Sequence, residues 1–215
     1  MFDDGIVVVM NSKGGRAMTP APPLMTLDEY LKTPETVKPT ELIYGVMRVA
    51  ESPTARHQSA VLQLVRALDA HVRERQMGEM WLAPLDVVLD AERALVVQPD
   101  LFFVSNARAY MVRHRVYGAP NLVIEVLSPH PRIGSTEERI GWFAEYGAQE
   151  CWLIHQDDVT ITVIQFADGR VASQKRYSQY QPIESAVLPD FKSTLDGMFR
   201  DAIPIRQNWR ESPFA

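Results

Sequence analysis

Apolar positions along this chain recur at two different periods, and the switches between them mark out the elements. Val61, Val65, Leu68 and Val72 recur at spacings of four, three and four. That is the stripe of an amphipathic helix, expected from about Ala55 to Gln76, with Gly78 closing it. Ser135 to Tyr146 predicts a second helix, with Ser135 as cap, Glu137 and Glu138 in its first turn and Gly147 as its stop. Thr26 with Glu29 has the spacing of a capping box and predicts a short helix through Leu31. A further short helix is expected near Thr194 to Phe199.

Elsewhere the period shortens towards two. Glu41-Leu42-Ile43 and Val46-Met47-Arg48-Val49 flank Tyr44-Gly45 and predict a β-hairpin. Leu85, Val87 and Leu89 alternate with Asp86, Val88 and Asp90, which predicts a strand with one wetter face. Residues 96–104 and 121–127 read as buried strands, with a polar helix or loop over 105–117 between them. Ser128-Pro129 ends the second strand. Cys151 to His155 and Thr160 to Phe166 are strands, and Asp168-Gly169 turns the chain into a last one, Arg170 to Tyr177. Helices and strands interleave, so the fold class is α/β, or α+β with a mixed sheet. Residues 1–24 are expected to form a flexible extension, 25–200 a domain and 201–215 a tail.

Composition narrows the partners. The 215 residues carry 46% hydrophobic and 23% charged side chains, the balance of a globular protein with a sizeable core. No apolar run has the length of a membrane span, and no secretory leader is evident, so a cytoplasmic protein is expected. The net charge of −5 argues against a broad basic surface, though not against a local basic groove. Cys151 is the single cysteine, which excludes an internal disulfide and a multi-cysteine zinc site. Beside Trp152 in an apolar strand, it reads as a small buried hydrophobe.

The chemistry is concentrated where polar residues interrupt apolar runs. Glu125 stands inside Leu122-Val123-Ile124-Glu125-Val126-Leu127. An ionised carboxylate there needs a partner, because desolvation costs several kcal/mol. Asp100 follows Pro99, twenty-five residues upstream of Glu125. Two carboxylates on neighbouring strands suit a hard divalent cation. Arg108, Arg113, His114 and Arg115, near Tyr110 and Tyr117, form a candidate phosphate contact; the plain alternative is a solvated face. Arg132 lies just beyond Ser128-Pro129, at the mouth of the expected site. Asp86 reads as a solvated or paired acid, and the tryptophans at 81, 142, 152 and 209 as packing residues, with Trp142 the one that tempts as a base-stacking platform.

Several of these residues together resemble the Uma-two family, within the PD-(D/E)XK nuclease superfamily. Met25-Thr26-Leu27-Asp28-Glu29-Tyr30-Leu31 looks like the family's opening helix, and Glu41-Leu42-Ile43-Tyr44-Gly45 like its Glu-Leu-x-x-Gly hairpin. Ser52-Pro53 and His57-Gln58 resemble the start of its long helix. Gln98-Pro99-Asp100 and Ile124-Glu125-Val126-Leu127-Ser128-Pro129 resemble its two core motifs. Phe143-Ala144 through Gly147-Ala148 to Glu150-Cys151-Trp152 resembles a further motif, and Val187-Leu188-Pro189 the last. The resemblance runs from about Met25 to Phe199.

The resemblance implies a restriction-endonuclease-like fold, a central mixed sheet flanked by helices. It implies Mg2+ or Mn2+ held by Asp100 and Glu125 with the Val126 backbone carbonyl, and DNA as substrate. Glu41, His57 and Gln98 would support the site, His57 by touching the scissile phosphate or a metal-bound water. Related nucleases carry a Lys two residues after the Glu; here that residue is Leu127. In this family the Lys stands on the following helix, and its place here is taken by Arg139. Ser135 stands where an Asp is usual, one turn earlier. Arg139 retains the positive charge and gains donors, but cannot lose its proton. The alternatives are therefore an active nuclease, an inactive module with the same fold that binds nucleic acid or protein, and a hydrolase of another phosphoester. A homodimer is plausible for a nuclease cutting both strands.

Overall fold

The computed structural model describes residues 6–10, 16–20, 24–34, 38–127 and 135–199. Ser128-Pro129, Arg132 and the 201–215 tail lie outside the described residues. Near the N-terminus, β1 (Ile6–Met10) and β2 (Arg16–Pro20) pair antiparallel as a separate two-stranded sheet. There follow α1 (Leu27–Leu31), the hairpin β3 (Thr40–Ile43) and β4 (Val46–Val49), and the long α2 (Ala55–Glu74). Next come β5 (Gly78–Leu82), β6 (Val87–Asp90), β7 (Leu95–Val97) and β8 (Leu101–Ser105). A 3-10 turn (Asn106–Met111) leads to β9 (Val116–Tyr117) and β10 (Leu122–Leu127). Then come α3 (Thr136–Glu145), β11 (Glu150–His155), β12 (Thr160–Ala167), β13 (Arg170–Tyr177) and α4 (Leu195–Phe199).

Two mixed sheets carry the fold. The larger has the order β13-β12-β11-β10-β8-β5, and the smaller β4-β3-β7-β6-β9. In the larger sheet β10 and β11 run parallel and the other pairs antiparallel. Alternation along the strands assigns the layers. Leu101, Phe103, Leu122, Ile124 and Val126 pack with Leu64, Leu68 and Val72 of α2 on one face. Each fully buried aliphatic side chain there contributes roughly 1.5–3 kcal/mol. Phe102, Val104, Val123, Cys151 and Leu153 face the other way, onto Val87, Leu89, Leu95 and Val97 of the smaller sheet and Trp142 and Phe143 of α3. Glu125 shares the phase of Val123, so it points into the layer between β10, α3 and the smaller sheet. The outer side of the smaller sheet, through Leu42, Val88 and Val96, packs under α1 by way of Tyr30.

The structure corrects three local expectations and adds a strand that was not foreseen. Residues 96–104 are not one strand: β7 and β8 belong to different sheets, and the chain changes sheet at Gln98-Pro99-Asp100. Pro99 lacks the N–H that a continuous ladder would use. The expected wetter face of 85–90 is absent, since Val87, Val88 and Leu89 are all buried between two layers. The strand β5 has no clear alternation in sequence, yet pairs along the whole of β8. Finally, the left-handed residue that ends α2 is Gln76, with φ 52°, not Gly78. Gly78 is needed for another reason: a Cβ there would lie 2.1 Å from the Val104 carbonyl oxygen of the paired strand.

Candidate active site

The sheet change at Gln98-Pro99-Asp100 brings Asp100 beside Glu125. The β8–β10 ladder pairs Ile124 with Leu101 and then stops. The Asp100 side chain continues it, with Oδ2 accepting the Val126 N–H at 2.8 Å. His57 Nε2 donates to the same oxygen at 3.1 Å from the first turn of α2, where the Thr54 hydroxyl caps the helix by accepting the His57 N–H. In a strand a residue's N–H and C=O point to the same edge, so the Val126 carbonyl also points to the Asp100 side.

Glu125 is held differently. Arg139, one turn into α3, sends Nε and Nη2 to a single oxygen, Glu125 Oε1, at 3.0 and 2.6 Å. Its Nη1 reaches both oxygens of Glu41 on β3, at 3.0 and 2.7 Å. The backbone N–H of Gln98 donates to Glu41 Oε1 at 2.6 Å. Glu41, Arg139 and Glu125 thus form a row that is buried at Glu41 and partly buried at the other two, with 3, 12 and 14% of their side chains exposed. Phe143, one turn further along α3, lies beneath the guanidinium at 5.8 Å.

Burial dominates the electrostatics of Glu125. Desolvation pushes its carboxyl up to about 7; Arg139 pulls it down, and neighbouring Asp100 and Glu41 push it up again. Burial opposes the charge on Arg139 as well, but Glu125 and Glu41 outweigh it and hold the guanidinium firmly protonated. The site therefore contains one fixed cation and a carboxyl that gains from a second.

The residues fit a divalent cation in a limited way. Among the described residues no group of three or more His, Cys, Asp or Glu side chains is arranged to hold a metal. Asp100 Oδ1 and Glu125 Oε2 nevertheless take part in none of the hydrogen bonds above. Two carboxylate oxygens and a carbonyl are hard donors suited to Mg2+ or Mn2+, with waters completing the shell.

The remaining candidates separate. Arg115 Nε donates to Asp86 Oδ2 at 2.8 Å and so already has a carboxylate partner. Arg113 lies over the Tyr117 ring at 5.8 Å. Arg108 donates to the carbonyls of Ala119 and Gly147, a bracing role. Trp142 is buried and meets Tyr44 edge-on, so it packs and offers no face to a base. Burial raises the Cys151 thiol pKa, which leaves it inert.

Sequence reasoning missed the network that backs Glu41. Asp86 Oδ1 accepts from the Gln98 side-chain amide at 2.9 Å and from the Tyr30 hydroxyl at 3.1 Å. Tyr30 also reaches the Thr40 carbonyl, at 2.9 Å. The signal available was Asp86 itself, an acid among apolar neighbours. Nothing in the sequence said which distant side chains would meet it.

A helix-flanked mixed sheet, with an acid at a broken strand and a second acid inside its neighbour, is the architecture of restriction-endonuclease-like proteins. The Uma2 (Uma-two) family model, described as "Putative restriction endonuclease", matches residues 27–196. The chain belongs to that family. A crystal structure of a "putative nuclease belonging to DUF820" from Anabaena variabilis is similar, with a TM-score of 0.68 at 21% identity, covering 82% of this chain and 98% of that one. At this identity the likeness concerns the fold. No curated protein matches the chain. Among the described residues no helix is long and apolar enough to cross a membrane.

Proposed function

We propose that this protein is a divalent-metal-dependent nuclease that hydrolyses phosphodiester bonds of DNA. Asp100, Glu125 and the Val126 carbonyl hold Mg2+ or Mn2+, and Arg139 stands in for the usual lysine. The observation that carries this reading is the asymmetric grip of Arg139: two donors converge on Glu125 Oε1 and leave Oε2 for a cation. When bound, the ion supplies a water of lowered pKa and positive charge beside the scissile phosphate.

The side chains do the rest. His57 and the Val126 N–H fix Asp100 Oδ2, so the carboxylate turns its other oxygen outward. Arg139 has five N–H donors, of which four are engaged by Glu41 and Glu125. The fifth, on Nη2, is available to a phosphate oxygen and to the charge that develops on it. Leu127 stands where related nucleases carry their lysine, so Arg139 is the cation that serves the site. Arg113, beside Tyr117, is a candidate contact to the substrate backbone.

A specific observation favours a second reading, an inactive module with the same fold. Arg139 ion-pairs with both Glu41 and Glu125, so the acids of the site already share a protein cation. A supercoiled-plasmid nicking assay in Mn2+ and then Mg2+ separates the two. Nicking by wild type that is lost in Asp100→Ala supports the nuclease. Inert wild type beside an active Arg139→Lys identifies a nuclease silenced by one substitution. No cleavage by either gives the binding module the lead.

A further inference from the structure

We infer that Glu41 is a positioning residue whose task is to hold Arg139, and that it is not a metal ligand. The inference rests on the metal-site reading above and assigns Glu41 its role within it. Both Glu41 oxygens face the same nitrogen, Arg139 Nη1, at 3.0 and 2.7 Å, and one also accepts the Gln98 N–H at 2.6 Å. That arrangement gives each Glu41 oxygen a donor and so leaves neither free for a cation. Its side chain is only 3% exposed, so no water route lets it swing away.

The consequence concerns charge. A buried guanidinium with one carboxylate partner would lay its whole charge on Glu125 and compete with a metal for it. With Glu41 taking Nη1, Arg139 arrives with its own counter-ion. Its Nε–H and one Nη2–H converge on one oxygen of Glu125 and leave the other. Glu41 and Arg139 cancel as a pair, and Asp100 and Glu125 keep the negative charge that attracts the ion. Gln98 and Asp86 support the anchor from behind: the Gln98 amide donates to Asp86 at 2.9 Å while its backbone N–H fixes Glu41.

The test is Mn2+ affinity, read by the paramagnetic resonance of free Mn2+ in alkaline buffer. The proteins are wild type, Glu41→Gln and the double variant Glu41→Gln/Arg139→Gln. Glu41→Gln should weaken Mn2+ binding roughly 10–100-fold, the usual cost of losing a residue behind the ligands. The double variant should return to within about threefold of wild type, because removing both members of the pair restores the net charge around Asp100 and Glu125. If Glu41 is a ligand, the double variant stays as weak as the single one, and the inference is overturned. An unchanged Glu41→Gln overturns it as well. Should Glu41→Gln fail to fold, wild type against the double variant decides alone, since that pair leaves no buried cation without a partner. Wild type that binds no Mn2+ would remove the metal-site reading itself, a result distinct from either failure.

Discussion

Two glutamates stand on adjacent parallel strands, and their hydrogen-bond partners differ in kind. Glu150 opens β11, paired with Leu122 of β10, and is fully buried. Its Oε1 accepts the Trp152 indole N–H and the Ser185 hydroxyl, both at 2.6 Å, and its Oε2 accepts the Ala186 N–H at 2.8 Å. Every partner is neutral, and both oxygens are used. Glu125, three residues further along β10, has a cationic partner on one oxygen and a second acid beside it. Burial alone does not distinguish a structural carboxylate from a chemical one. What distinguishes them is whether the donor set is complete.

The largest test of this contrast is the removal of the two acids of the proposed metal site. Asp100→Ala and Glu125→Gln should each reduce nicking by about a thousandfold or more, some 4 kcal/mol of transition-state stabilisation. Glu125→Gln should still fold, because it removes a poorly solvated charge and keeps the volume. Glu150→Gln should leave the Mn2+ affinity unchanged. A Glu150 variant that folds normally but loses metal binding would erase the distinction.

Stability should respond the other way round. Glu150→Ala strands the Trp152 indole, the Ser185 hydroxyl and the Ala186 N–H, and frees the 183–188 segment that they pin. A loss of about 3–5 kcal/mol is expected, one unsatisfied donor after another. In a chain of this size that is a fall of roughly 10 °C in Tm, measured by thermal unfolding followed by circular dichroism.

The pH dependence of the metal-free protein sharpens the comparison. The Glu125 carboxyl is raised from 4.5 to about 7 by burial. The folded protein therefore keeps this proton where the unfolded chain has released it. The contribution of Glu125 to stability is complete below about 4.5 and is lost as pH rises through 7. Wild type should lose roughly 1–3 kcal/mol relative to Glu125→Gln between mildly acidic and mildly alkaline buffer. Parallel curves for the two proteins would mean that Arg139 alone compensates the buried charge.

Much of this was legible in the sequence because it depended on local pattern. An acid in an apolar hexapeptide announced Glu125, and Pro-Asp marked Asp100. Helical spacing set α2, although the glycine expected to close it, Gly78, serves strand packing instead, and Gln76 takes the left-handed turn. The sheet change between β7 and β8 was not legible. An apolar run reads the same whether it stays in one sheet or crosses to another. Pairing across the fold was hidden too, since Glu41 and Arg139 lie far apart in sequence yet meet at 2.7 Å. Asp86 was expected to be solvated or paired, and only the structure shows Tyr30, Gln98 and Arg115 around it.

The smallest effects separate two arginines that the sequence treated alike. Arg115 spends its Nε–H on Asp86, in an ion pair whose arginine side chain is 32% exposed. A pair of this kind is worth at most about 1 kcal/mol after solvent screening. Arg113 is stacked over Tyr117, and its guanidinium has no carboxylate among its described contacts. Arg113→Ala should weaken binding of a DNA duplex a few-fold, equally across sequences, and lower the slope of log affinity against log salt by about one, the signature of one lost phosphate contact. Arg115→Ala should leave that slope unchanged and appear instead as a small shift in the urea midpoint. A salt slope that falls only in Arg115→Ala would mean that Asp86 gives up its arginine to the substrate. The network behind Glu41 would then register bound DNA as well as hold the site in place.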